Sequence, residues 1–227
     1  MTRRTYLTLS LLICACGTAR MAVPPEVAKN SEEVAATDRS SMSGALADES
    51  FKLGKYAVED VDRDWNSGSA VGVLGFSSEK TEGGYSYKLK GGGPELAGGC
   101  ATESGDDSLS LGGGMSVGQT FAKLGCTCSG DGDATKVVVS ASTTDKYMGE
   151  LKTRKGSYQV AAIYESEGTL SSGQPSGYRV DGEGPIGAVE VLKPGRVWFA
   201  RSLDDAERRD LACLYVGLML YMPPDDH

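Results

Sequence analysis

Histidine is almost missing from this chain. The only one is His227, the last of 227 residues. A Ser-His-Asp or Cys-His arrangement needs an imidazole held in place, and a chain terminus is the position least held. Histidine-built metal sites go with it. Chemistry by paired carboxylates or by lysine stays open. Excess basic charge is missing too: the formal charge is −8. An acidic surface repels phosphate backbones and anionic headgroups, so nucleic acid is excluded as an expected partner. The apolar runs Tyr6–Ala15 and Leu211–Met222 are both too short to span a bilayer as helices.

What is present is glycine, 31 residues of it, and 40% hydrophobic residues. The hydrophobic share suffices for a core. Most glycines fall between short apolar runs, where a β-rich protein needs turns.

The first residues read as an export leader. Arg3 and Arg4 precede the apolar run, which ends in Ile13-Cys14-Ala15-Cys16. This resembles the bacterial lipobox: an aliphatic residue, two small ones, then the cysteine that receives diacylglycerol. The resemblance implies a signal peptide over residues 1–15 and lipidation of Cys16, with two or three acyl chains, enough for stable anchoring. Thr2-Arg3-Arg4-Thr5-Tyr6-Leu7 also resembles the twin-arginine export motif, so both export routes stay open. Gly17, not aspartate, follows the anchor cysteine. By the sorting rule of some Gram-negative bacteria this favours the outer membrane of the cell envelope.

Residues 16–50 are rich in Ala, Ser, Glu and Pro, with Pro24-Pro25 set against helix. They read as a flexible acidic tether, with a marginal helix near Ser31–Ala36 at most. The domain is expected over 51–224, with 225–227 as a tail. Within it, short alternating segments recur about every ten residues, from Leu53–Val58 through Ala70–Phe76 to Arg196–Ala200. That spacing predicts about twelve antiparallel strands. Ser202 and Asp205 resemble a capping box that opens a helix over 203–222. Its stretch Leu211–Met222 is apolar on every side and stops at Pro223-Pro224. A helix apolar all round must be buried all round. The economical arrangement is a closed barrel around that helix. Two packed sheets with a flanking helix are the alternative.

The hairpin Gly187-Ala188-Val189-Glu190-Val191 and Gly195-Arg196-Val197-Trp198-Phe199, followed by the helix at Arg208–Tyr221, resembles the end of the tubby-like barrel. Tubby and phospholipid scramblase-like proteins share that fold. The resemblance covers roughly 51–224 and implies phosphoinositide binding or lipid handling. Lys88, Lys90, Lys152, Arg154 and Lys155 are interspersed in an acidic chain, not clustered as that site requires.

Other features weigh toward structure. Cys100, Cys126 and Cys128 lie in neighbouring candidate strands. In an oxidising compartment Cys100 is expected to pair with Cys126 or Cys128, leaving Cys213 as a free apolar residue. No metal is expected, because three thiolates without histidine or a second Cys-x-x-Cys make a poor site. Glu59–Asp64 and Asp131–Asp133 lack the glycine and closing glutamate of a calcium loop and read as solvated loops. Gly91–Gly93 and Gly112–Gly114 lack Gly-Lys-Ser/Thr and read as turns. Trp65 and Trp198 could line a ligand surface, with Trp198 better suited to the core. No catalytic residue and no cofactor is assigned. The expected function is a non-catalytic envelope lipoprotein, membrane-bound through Cys16, that binds an envelope protein, a lipid or a wall component. The alternative is a carboxylate-based envelope hydrolase.

Overall fold

The computed structural model describes residues 19–39, 49–64, 81–110, 116–130, 134–142, 145–168 and 173–221. In chain order the elements are β1 (Arg20–Met21), α1 (Pro25–Asn30), β2 (Ser31–Thr37), β3 (Phe51–Leu53), β4 (Tyr56–Asp64), β5 (Thr81–Lys90), β6 (Leu96–Ser110) and β7 (Ser116–Ser129). They continue with β8 (Thr135–Ser142), β9 (Asp145–Lys152), β10 (Ser157–Ile163), β11 (Ser166–Glu167), β12 (Gly177–Asp181), β13 (Pro185–Glu190), β14 (Arg196–Ala200) and α2 (Asp205–Leu220). Twelve strands close an antiparallel barrel in the order β10-β12-β13-β14-β2-β3-β4-β5-β6-β7-β8-β9. The pairing of β9 with β10 completes the ring, so the sandwich alternative falls. The short β1 and β11 pair outside it.

Strand alternation sorts the side chains. On β5, Tyr85, Tyr87 and Leu89 point into the core while Ser86 and Lys90 are exposed. On β8, Val137 and Val139 are buried between exposed Lys136 and Ser140. Side chains of a strand alternate between faces, so every such strand adds an apolar row to one closed interior. α2 fills that interior. Every residue from Asp210 to Leu220 is buried, as its lack of a polar stripe requires. No helix among the described residues is long and apolar enough to cross a membrane.

Burying a helix end strands backbone groups. The last four carbonyls of any helix lack partners within it. Here each finds one. Tyr85 Oη donates to Gly217 O at 2.7 Å. The Tyr221 amide donates to Leu218 O at 3.4 Å. Arg39 donates to Met219 O, and Arg63 donates to Leu220 O at 3.0 Å. At the other end Asp204 is the cap, accepting from the Glu207 amide at 2.9 Å. Ser202, expected in that role, lies in the preceding turn.

Three expectations change. The flexible tether over 16–50 contains α1 and a barrel strand, β2, seated between β14 and β3. Its polar composition reflects a strand with one face in water, not a solvated coil. Pro25 is at the helix start, where the missing amide costs nothing, and the marginal helix near Ser31–Ala36 is that strand instead. Glu59–Asp64 is not a loop but part of β4, bent by a register shift between Glu59 and Asp62 with Asp60 at φ 52°. Ala70–Phe76 and Asp131–Asp133 lie outside the described residues.

Leu214→Ala and Leu218→Ala should each lower stability by about 2–5 kcal/mol, the usual cost of a large-to-small core change. Urea unfolding of the chain without residues 1–18 measures this; losses well under about 1 kcal/mol would remove the helix from the centre of the fold. A fragment starting at Ala47 lacks β2 and therefore a wall of the barrel. It should show no cooperative transition, whereas a chain starting at Ala19 should.

Candidate functional site

The lumen is occupied, so a site must lie in the helix–wall contacts, at a barrel end or on the outer wall. The first of these is built from cysteine and tyrosine. Cys100 and Cys126 face each other across β6 and β7 and are disulfide-bonded. Cys128 is bonded to Cys213 of α2. Cys213 is therefore not the free thiol expected of a small apolar helix residue. The strand spacing hid this: Cys126 and Cys128 both point inward, and only packing brings α2 to the second of them. The Cys128–Cys213 bond spans 85 residues against 26 for the other, so it constrains the unfolded chain more and fixes α2 to the wall. Gly217 lets the two approach: a Cβ there would stand 2.9 Å from both Cys100 Sγ and Cys126 Sγ. Tyr87 Oη donates to Cys213 O at 2.8 Å. Burial pushes the Tyr85, Tyr87 and Tyr215 phenols up from their ordinary range, so they are neutral; Tyr85 and Tyr87 donate to helix carbonyls, whereas the Tyr215 hydroxyl has no hydrogen-bond partner.

The rim around the start of α2 is ionic. Lys155 pairs with Asp204 and Glu207, Lys55 with Asp205 at 2.7 Å and Arg208 with Glu32 at 2.6 Å. Arg154 grips the buried Asp210 through two hydrogen bonds, of 2.8 and 3.0 Å. Hydrogen bonds from Lys155 and Lys55 hold the Asp204 and Asp205 carboxyls below their usual range. These acids face cations rather than one another. A carboxylate hydrolase instead needs two acids facing across a gap of about 5–9.5 Å. The opposite end holds Arg39, Arg63 and Glu49. Burial lowers the Arg39 guanidinium to about 10. Both arginines hold helix carbonyls, and Arg63 also pairs with Glu49, so this is a clamp on α2. Among the described residues no group of three or more His, Cys, Asp or Glu could hold a metal ion.

The outer wall carries a feature that sequence reading missed. The segment 19–30 runs as a strap over β12, β13 and β14. Glu190 is buried there, gripped by Arg196 at 2.7 and 3.1 Å, and it accepts the Met21 amide at 2.6 Å. Met21 and Val27 are fully buried with Ile163, Ala188 and Trp198 in a second, outer apolar cluster. Gly177 leaves room for Met21; a Cβ there would collide with its sulfur. Trp198 is thus buried, but under the strap and not against α2, and Arg196 stacks over it at 4.9 Å. Trp65 lies outside the described residues, as do Cys16 and Gly112–Gly114. The available signal was modest: Met21, Val23 and Val27 in an otherwise polar stretch, and a Pro-Pro pair at a helix start.

Beside the strap lies a shallow groove of about 390 Å³, lined by Ala22, Val23, Pro24, Pro25, Ala161 and Ile163 with Glu165 and Arg179 at its edge. On β4 and β5 the wall is charged. Lys88–Asp60 at 2.9 Å and Lys90–Glu59 at 2.6 Å cover β4 and β5. The interior that α2 fills is apolar, whereas the lumen of a membrane-spanning barrel is polar. Comparison with protein-family models, with curated proteins and with solved structures finds no match for this chain.

The cysteine pairing predicts thiol counts. With residues 1–18 absent, the denatured, unreduced protein should take up no alkylating reagent. Cys213→Ser should expose one thiol, that of Cys128, and Cys100→Ser one thiol, that of Cys126. Four reactive thiols in the unsubstituted chain would refute the pairing.

Proposed function

We propose that this chain is a lipid-anchored envelope protein whose barrel works as a non-catalytic binding or interaction module. The anchor rests on Ile13-Cys14-Ala15-Cys16 behind a basic, apolar leader, and Gly17 favours the outer membrane. The observation that carries the non-catalytic reading is the filled lumen. α2 occupies it and is bonded to the wall through Cys128–Cys213. A ligand cannot enter without breaking the core, which leaves recognition to the outer wall and the loops. The acids at the rim are matched by lysine and arginine, which speaks against the carboxylate-hydrolase alternative. A barrel wrapped around a C-terminal helix is also the arrangement that the tubby-like resemblance implies, and supports that kinship as a proposal. A partner that is an envelope protein, a lipid or a wall component fits an acidic, exported surface; nucleic acid does not.

The test has two arms. In a bacterium that processes lipoproteins, the full chain should incorporate labelled palmitate and sediment with membranes, and Cys16→Ser should abolish both. Unchanged labelling in Cys16→Ser would end the anchor reading. Incubating the purified barrel with envelope glycan should release no soluble product. Sugar release that is lost on substituting a pair of carboxylates would establish the hydrolase instead.

A further inference from the structure

The outer wall is not uniform. Opposite the strap, β4 and β5 expose ion pairs. On the strap side, Met148 is 59% exposed and is the only large hydrophobic side chain left exposed among the described residues. Met148 of β9 stands directly opposite Ala161 of β10, and Ala161 lines the groove with Ala22, Val23, Pro24 and Pro25. Met148, Ala161 and the strap residues Ala22, Val23, Pro24 and Pro25 therefore adjoin in one apolar strip, bordered by Glu165 and by Arg179, whose charge is paired with Glu26 and Asp181. Lys146, two residues along the same face, sets its ammonium 5.4 Å from the Tyr164 ring. An amphipathic lysine–tyrosine pair beside an apolar patch suits a water–lipid boundary.

Chain length determines where that patch sits. Cys16 precedes Arg20 by four residues. At Arg20 and Met21 the chain is already paired with Glu167 and Ser166 and tied through the Met21 amide to Glu190. Four fully extended residues reach about 14 Å. Twelve tilted strands make a barrel about 24 Å across its backbone, from strand spacing and tilt. A lipid on Cys16 cannot reach round to the β4–β5 wall while the strap is latched.

We propose that the strap-side wall, centred on Met148, Ala161 and Val23, rests on the surface of the membrane that holds the lipid. This rests on lipidation of Cys16, and the occupant is the lipid surface itself. The protein is acidic, so headgroup charge does not draw it in. Contact comes from the short leash and from seating the apolar patch among headgroups and upper acyl chains. The charged β4–β5 wall and its neighbours are left facing away, free for other envelope components.

The experiment uses the full chain, processed in a lipoprotein-competent bacterium and reconstituted into phosphatidylethanolamine–phosphatidylglycerol vesicles with brominated acyl chains. Bromine quenches indole fluorescence at short range. Met148→Trp adds a probe on the patch, and Ser86→Trp adds one on exposed β5. Both positions are on the surface, so folding is retained. After subtracting the parent signal, the Met148→Trp probe should be quenched at least twofold more than the Ser86→Trp probe. Intact mass decides what a failure means. If the purified chain carries no acyl groups, the anchor reading falls and the orientation falls with it. If the acyl groups are present and the two probes are quenched alike, the orientation is overturned and the anchor stands. A patch covered by a co-purifying protein, with its probe unquenched, also overturns the proposal.

Discussion

An α-helix without a polar side has no face to offer water, and from Asp210 to Leu220 α2 has none. A helix cannot be enclosed by one flat sheet; it needs a wall on every side. Twelve strands in a closed ring supply that wall, and ring closure also removes the unpaired edges that an open sheet of this size would carry. The other features follow from this constraint. Because the helix ends are buried, each terminal carbonyl must find a donor, and Tyr85, Tyr221, Arg39 and Arg63 are placed where they provide one. Because the start of α2 sits at the rim, Asp204, Asp205 and Glu207 meet Lys55 and Lys155.

The same constraint decides where function can lie. A filled lumen excludes the usual use of a β-barrel as a container. What remains is the outside, and the outside has two characters. One side is latched by the strap, through Glu190 with Arg196 and the burial of Met21 and Trp198. The other is a mesh of exposed ion pairs, individually worth little to stability but effective in keeping that wall wet.

The β-rich class, closure around the helix and the positions of β12 and β14 were legible because each has a local signature. A period of two and a helix with no polar stripe can both be read without knowing what touches what. β12 and β14 fall at Gly177–Asp181 and Arg196–Ala200 as the alternation indicated. β2 was illegible for a physical reason. Ser31–Thr37 is a strand in which only Ser31 and Ala36 are buried, while Glu32 at the rim and Glu33 on the outer face are both exposed. With so little burial its alternation falls below the composition of a solvated tether.

The sequence alone determined that a long apolar helix had to be hidden and that short strands had to hide it. Both are consequences of the free energy of apolar surface, which composition and period express directly. Only the tertiary structure decided which cysteine meets Cys128, that Ser31–Thr37 belongs to the barrel, and that Trp198 is buried on the outer wall beneath residues 19–30. These are contacts between residues far apart in the chain. Cys128 and Cys213 are 85 positions apart, and Met21 and Glu190 are 169 apart. Closing loops that long costs nearly the same for many alternative partners. The choice among them is made by shape, in the way one helix seats against one side of its barrel.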